Sequence, residues 1–162
     1  MESLLGIANQ TGAALKARKQ TVAVSESSGG GLISASLLAV PGASAYFVAG
    51  GVVYTQTARG TIAGITDDQM KGLRSSSEPY AALLARNIRE RNGTTWGLAE
   101  TGAAGPRGNR YGDPAGHTCI AISGPVEVVL TYRTSDADRV ANMRAFARRA
   151  LEEFKTAVER SS

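Results

Sequence analysis

Apolar and polar positions along this chain follow two periods, and the switches between them predict its elements. In residues 2–19, Leu4, Ala8, Thr11 and Leu15 form one stripe at intervals of three and four, the spacing of an amphipathic helix. Thr21, Val22, Ala23 and Val24 are instead a continuous apolar, β-branched run, which predicts a short buried strand over 21–25. Residues 25–31 read as a polar turn, and helical spacing over 32–40 is halted by Pro41 and Gly42.

The same pattern continues downstream. Residues 46–55 read as a second strand, with Gly50 and Gly51 marking a bulge or a close approach by another backbone. A short helical turn is expected at 56–63 and a weak helix at 67–73. Ser77, Glu78 and Pro79 are a helix start, Ala81, Leu84, Ala85 and Ile88 its apolar side, and Asn92 with Gly93 its end. A third strand falls at 95–99. Residues 118–123 and 126–132, separated by Gly124 and Pro125, read as a hairpin. Ser135 with Asp138 resembles a capping pair for a last helix, in which Val140, Met143, Ala147, Leu151, Phe154 and Val158 keep a helical period. Strands interleaved with helices imply one domain over 1–162. Its expected architecture is a three-layer α/β/α sandwich with a mixed, mostly parallel sheet of about five strands.

Composition narrows the function classes. With 162 residues, 43% hydrophobic and 20% charged, the chain suits a soluble globule. No apolar run reaches the ~18 residues that span a bilayer, and residues 1–20 lack a signal-peptide core, so no membrane association and a cytoplasmic location are expected. The single cysteine, Cys119, excludes an internal disulfide and reads as a buried thiol. The net charge of +4 is mild: arginines at 133, 139, 144, 148 and 149 are followed by Glu152, Glu153 and Glu159, a solvated helix face. With few aromatics, nucleic acid is not an expected partner. One histidine and one cysteine argue against a zinc-type cluster, and no metal or cofactor is expected.

Two stretches carry candidate chemistry. The turn Glu26-Ser27-Ser28-Gly29-Gly30-Gly31 joins a strand to a helix start, where glycine lets a ligand approach and free N–H groups favour an anion. Residues 100–117 hold five glycines and two prolines, so a long irregular loop is expected there, with Arg107 and Arg110 suited to clamping a phosphate or carboxylate. Both stretches follow strands, and ligands in open α/β sheets collect beyond strand carboxyl ends. Ser27, Ser28 and 29–31 are therefore expected to face 101–106 across one pocket, with Tyr54 and Arg59 on its wall.

Four segments together resemble one family. Residues 26–31 are similar to the Glu-Ser-x-Thr-Gly-Gly motif of the CinA C-terminal domain, the nicotinamide-nucleotide amidase family. Pro41-Gly42-Ala43-Ser44-Ala45 and Gly51-Val52-Val53-Tyr54 resemble its Pro-Gly-Ser-Ser and Val-Thr-Tyr stretches, and Thr101-Gly102-Ala103-Ala104-Gly105-Pro106 its Ser/Thr-Gly-x-Ala-Gly-Pro loop. The resemblance implies hydrolysis of nicotinamide mononucleotide to nicotinic acid mononucleotide and ammonia. Ser27 would be the nucleophile, Tyr54 and the position of Arg59 would complete the catalytic set, and N–H groups at 28–31 would serve as oxyanion donors. Glu26, Ser28, Gly29, Gly30, Gly31, Thr101, Gly102, Ala103, Gly105, Arg107 and Arg110 would contact the substrate. A homodimer is expected on the same ground.

Two positions depart from the family pattern. Arg59 stands where the family carries its basic lysine, and guanidinium keeps its proton. Gly29 replaces the motif's threonine. The only histidine–carboxylate pairing is His117 with Asp113, a second way to activate Ser27; Glu26 is a similarly weak one, because neighbours on a strand face opposite ways. A catalytically silent relative that binds a nucleotide or other small anion is the alternative function.

Overall fold

A computed structural model of the chain describes residues 1–161. Helix α1 (Glu2–Arg18) leads into β1 (Val22–Glu26), and α2 (Leu32–Leu38) follows the turn. Next come a 3₁₀ turn (Ala43–Ala45), β2 (Phe47–Val52) and α3 (Gln56–Thr61). The second half runs α4 (Glu78–Asn92), β3 (Trp96–Ala103), β4 (His117–Ser123), β5 (Val128–Arg133) and α5 (Arg139–Arg160). The sheet order is β2-β1-β3-β4-β5. Pairs β1–β2 and β1–β3 are parallel, while β4 is antiparallel to both its neighbours, so four strands share one direction. This is the three-layer α/β/α sandwich with a mixed sheet that the interleaved pattern implies.

The two sheet faces are packed differently, and strand alternation explains why. Trp96, Leu98, Ile120 and Ile122 point to the side covered by α1, α2 and α5, where they meet Leu4, Leu15, Ile33, Leu37 and Phe154. Trp96 and Phe154 cross edge to face with centroids 5.8 Å apart, and the indole donates to Gln20 at 2.9 Å. The intervening residues are small: Gly97, Ala99, Cys119 and Ala121 face α4. That lets α4 lie close enough that a Cβ at Gly97 would stand 1.9 Å from the Ala85 carbonyl oxygen.

Several expectations are corrected. Residues 67–72 form turns rather than a helix, and Met70 and Leu73 pack against the core beside α4 from that irregular backbone. Strand β3 continues through Glu100, Thr101, Gly102 and Ala103, which shortens the expected loop. Gly102 sits inside the strand because a Cβ there would lie 2.3 Å from the His117 carbonyl oxygen across the ladder. The irregularity in the β1–β2 pair lies where Ala49 follows Phe47 as partner, at Val48, while Gly50 and Gly51 make room for the side chains of Ser34 and Ile62. Asp138 alone caps α5, accepting from the Ala141 amide at 2.8 Å, and Ser135 adopts a left-handed φ of 60°. Val140 in the first turn of α5 is 53% exposed, so the buried stripe begins later and centres on Phe146, Ala147, Leu151 and Phe154.

No helix among the described residues is long and apolar enough to cross a membrane. Strands β1, β2 and β3 run parallel, so the segments after Glu26, Val52 and Ala103 emerge at one edge of the sheet.

Candidate functional site

At that edge lies a cavity of about 320 Å³. Its lining comes from four places: Ser27 after β1; Val53, Tyr54, Thr55, Gln56 and Arg59 after β2; Ser75, Ser76 and Tyr80 before and within α4; and Thr101, Gly102, Arg110 and Tyr111 from β3 and its loop. A neighbouring cavity of about 240 Å³ shares Tyr54 and Gly102 with it and adds Ser28, Ala103, Gly105, Arg107 and Arg139. Glu26, Gly29, Gly30 and Gly31 line neither.

Those four residues are the scaffold of the turn. The Glu26 carboxylate turns under the start of α2, accepting from the Ile33 amide (3.1 Å), the Ser34 amide (2.9 Å) and the Ser34 hydroxyl (2.7 Å). Burial raises its pKa, the Ser34 and Ile33 bonds oppose that, and the nearby Glu100 charge adds to the rise. Glu100, fully buried on β3, accepts from the Ser27 amide (3.1 Å), the Gly29 amide (2.8 Å), the Thr118 hydroxyl (2.7 Å) and the Ser28 hydroxyl. The Gly30 amide bonds the Ser27 carbonyl at 3.0 Å. The amides at 29 and 30 are thus occupied within the protein, a correction to the expectation that 28–31 offers a row of oxyanion donors.

The opposite wall is held by ion pairs. Arg74 donates twice to Asp113, at 2.7 and 3.2 Å, and Asn109 donates to the same carboxylate at 2.8 Å. Burial would push the Asp113 carboxyl up, but the bonds from Arg74 and Asn109 outweigh it and hold the group below its usual range. Two guanidinium groups lie over the Tyr111 ring, Arg74 at 5.2 Å and Arg110 at 5.0 Å from its centroid, and Arg110 also donates to its hydroxyl at 2.9 Å. The Arg110 bond lowers the Tyr111 pKa against the effect of burial.

Arg59 has a side chain only 11% exposed and reaches Asp67 at 3.5 Å. Among the described residues Arg107, Arg110 and Arg139 form no ion pair, leaving their charge available at the rims of the two cavities. Arg139 instead donates to the Gly105 carbonyl (2.6 Å) and the Tyr54 hydroxyl (3.1 Å).

His117 does not line the cavity. Its Nε2 lies 2.9 Å from the Ser76 carbonyl and 3.6 Å from Asp113, so the His117–Asp113 pairing exists but sits behind the wall formed by Ser76. Ser75, Ser76, Tyr80, Tyr111 and Arg139 were not among the candidates from sequence. Only the run of serines before the helix start at Ser77 signalled part of this set. No group of three or more His, Cys, Asp or Glu side chains that could hold a metal ion occurs among the described residues.

Comparison with known proteins is consistent throughout. The family model for the CinA C-terminal domain matches residues 5–158. The chain is 37% identical over 152 residues to a CinA-like protein of Desulfosudis oleivorans, covering 93% of this chain and 37% of that protein. It is 40% identical over 123 residues to a CinA-like protein of Myxococcus xanthus, covering 74% of this chain and 29% of the relative. The chain therefore spans about a third of the length of these relatives. Among solved structures, a competence-damaged protein (CinA) superfamily protein from Klebsiella pneumoniae superposes with a TM-score of 0.90 at 22% identity, covering 96% of this chain and 98% of that one. The competence/damage inducible protein CihA from Agrobacterium tumefaciens gives 0.86 at 27% identity, covering 97% and 96%.

Proposed function

The chain belongs to the CinA C-terminal domain family, and on that premise we propose that its pocket binds a pyridine nucleotide or a chemically similar anionic small molecule. The observation that carries this reading is the shared lining of one 320 Å³ cavity by Ser27, Arg59 and Arg110 together with Tyr54, Thr55, Ser75, Ser76 and Thr101. Hydroxyls suit a ribose and an amide, and the guanidinium of Arg110, which forms no ion pair, suits a phosphate. The cavity is at the small end of ligand sites, and the adjoining one extends it.

Amide hydrolysis is the second reading, favoured by the placement of Ser27 at the cavity with its own amide anchored on Glu100. In that reaction the Ser27 oxygen attacks the amide carbon, ammonia leaves, and water then frees the carboxylic acid from the acyl-enzyme. The attack needs an acceptor for the serine proton. Arg59 cannot be one, and His117 is turned away onto the Ser76 carbonyl. Binding is therefore better supported than turnover.

Calorimetric and thermal titration with nicotinamide mononucleotide tests the binding. Ligand at 100 times its dissociation constant adds ~2.7 kcal/mol, which raises the melting temperature by roughly 5–10 °C for a chain of this size. An ammonia-release assay tests the chemistry: little turnover is expected from the natural protein, and Arg59→Lys should raise it by ~10²-fold, the low end for a positioned base. Absence of any thermal shift with pyridine nucleotides would refute the binding proposal. Robust turnover in the natural protein, abolished by Ser27→Ala, would show that the serine has another base.

A further inference from the structure

Gly29 and Glu100 fit each other. A Cβ at position 29 would stand 3.2 Å from Glu100 Oε2 and 3.2 Å from Glu26 Oε2, so two buried carboxylates close on the space that any side chain there would need. The two carboxylates have separate duties, however. Glu26 is committed to the first turn of α2. Glu100 reaches across from β3 and gathers four donors, three of them from consecutive residues of the turn that carries the candidate nucleophile: the Ser27 amide, the Ser28 hydroxyl and the Gly29 amide. The fourth, the Thr118 hydroxyl on β4, braces the carboxylate from behind. A buried carboxylate is tolerated only when its oxygens are paired in this way, and the energy that satisfies it also fixes the backbone that does so.

We propose that Glu100 is the positioning residue of the site, holding the 27–29 turn so that the Ser27 hydroxyl faces the cavity, and that the missing side chain at Gly29 is the condition for its doing so. The proposal rests on the reading of the cavity as a ligand site but concerns the protein's own geometry. Glu100 acts through the turn rather than on the ligand, since it lines neither cavity. Positioning the turn is a different role from accepting a proton from the Ser28 hydroxyl that Glu100 bonds.

Glutamine separates the two roles. Its carbonyl oxygen can accept from both amides while its NH₂ donates to the Ser28 and Thr118 hydroxyls, so Glu100→Gln keeps the arrangement without a basic oxygen pair. Glu100→Ala removes it. Amide hydrogen exchange on the otherwise unmodified chain should therefore quicken at Ser27 and Gly29 by ~10-fold or more in Glu100→Ala, the factor expected from losing a hydrogen bond to a charged acceptor, and stay near the natural rate in Glu100→Gln. Gly29→Thr alone should lower the melting temperature, and Glu100→Ala should reduce that penalty by opening the Glu100 side of the space, the Glu26 oxygen keeping the rest.

In the Arg59→Lys background, Glu100→Ala should lower kcat for nicotinamide mononucleotide with KM nearly unchanged, and Glu100→Gln should keep it. Unchanged exchange at Ser27 and Gly29 in Glu100→Ala overturns the proposal. So does a Glu100→Gln variant that holds the turn yet is as inactive as Glu100→Ala, because Glu100 would then be handling a proton. If no pyridine nucleotide binds, the functional reading fails while the exchange and stability measurements still decide the role of Glu100.

Discussion

Asp113 offers the clearest quantitative test of how the cavity wall is held. It receives two hydrogen bonds from Arg74 and one from Asn109, and so ties the loop after β3 to the segment leading into α4. Asp113→Asn keeps the shape, removes the charge, and leaves an NH₂ facing at least one donor. A hydrogen bond to a charged group contributes ~1.5–3 kcal/mol against ~0.5–1.5 kcal/mol for a neutral one. The Arg74 side chain is 42% exposed, and screening by solvent puts the loss at the low end, ~1–2 kcal/mol in all. For a chain of this length that corresponds to a fall in melting temperature of roughly 2–8 °C near neutral pH.

The sign of the pH dependence is fixed by the pKa. Asp113 titrates below its ordinary value of 3.8 in the folded protein, so its contribution is complete above that value and is lost as pH falls through the lower folded one. Thermal melts of both proteins from pH 7 downward should show a gap that closes in acid below about 3.8. A gap that stays constant, or widens toward acid, would refute the reasoning.

Two further outcomes follow from packing. Gly97→Ala drives a methyl into the Ala85 carbonyl at the α4–β3 contact and should cost ~1–3 kcal/mol or more, read by urea denaturation; an unchanged midpoint would show that α4 shifts freely. Cys119 is 1% exposed and burial pushes its thiol up, so it should resist alkylation at neutral pH until the protein unfolds; labelling of the native protein within minutes would contradict its placement.

Local pattern was enough for much of the fold. The stripe Leu4, Ala8, Thr11, Leu15 is buried as its spacing required, and Ser77 caps α4 through the Tyr80 amide. The five strands overlap the β-branched and apolar runs that predicted them, although β2 stops at Val52 and β3 runs on to Ala103, because period and capping depend only on neighbours a few residues away. The same holds for the Ser27 turn and for Arg59, whose chemical identity alone bars it from accepting a proton.

Partner choice was not legible, since it depends on register between distant strands. Glu100 lies 73 residues from Ser27, and only the β1–β3 pairing brings its carboxylate beneath that turn. Before the sheet is assembled, Glu100 is one more residue at the start of a glycine-rich stretch, and Glu26 looks like an equal candidate for the site. Arg74 meets Asp113 across 39 residues, and Arg139 reaches Tyr54 across 85. Antiparallel pairing of β3 with β4 also decided the fate of His117, by setting its ring behind Ser76 instead of beside Ser27. A hydrogen bond acts over about 3 Å in space and is blind to distance along the chain, so residue types at the site could be read from sequence while their duties were assigned by the tertiary structure.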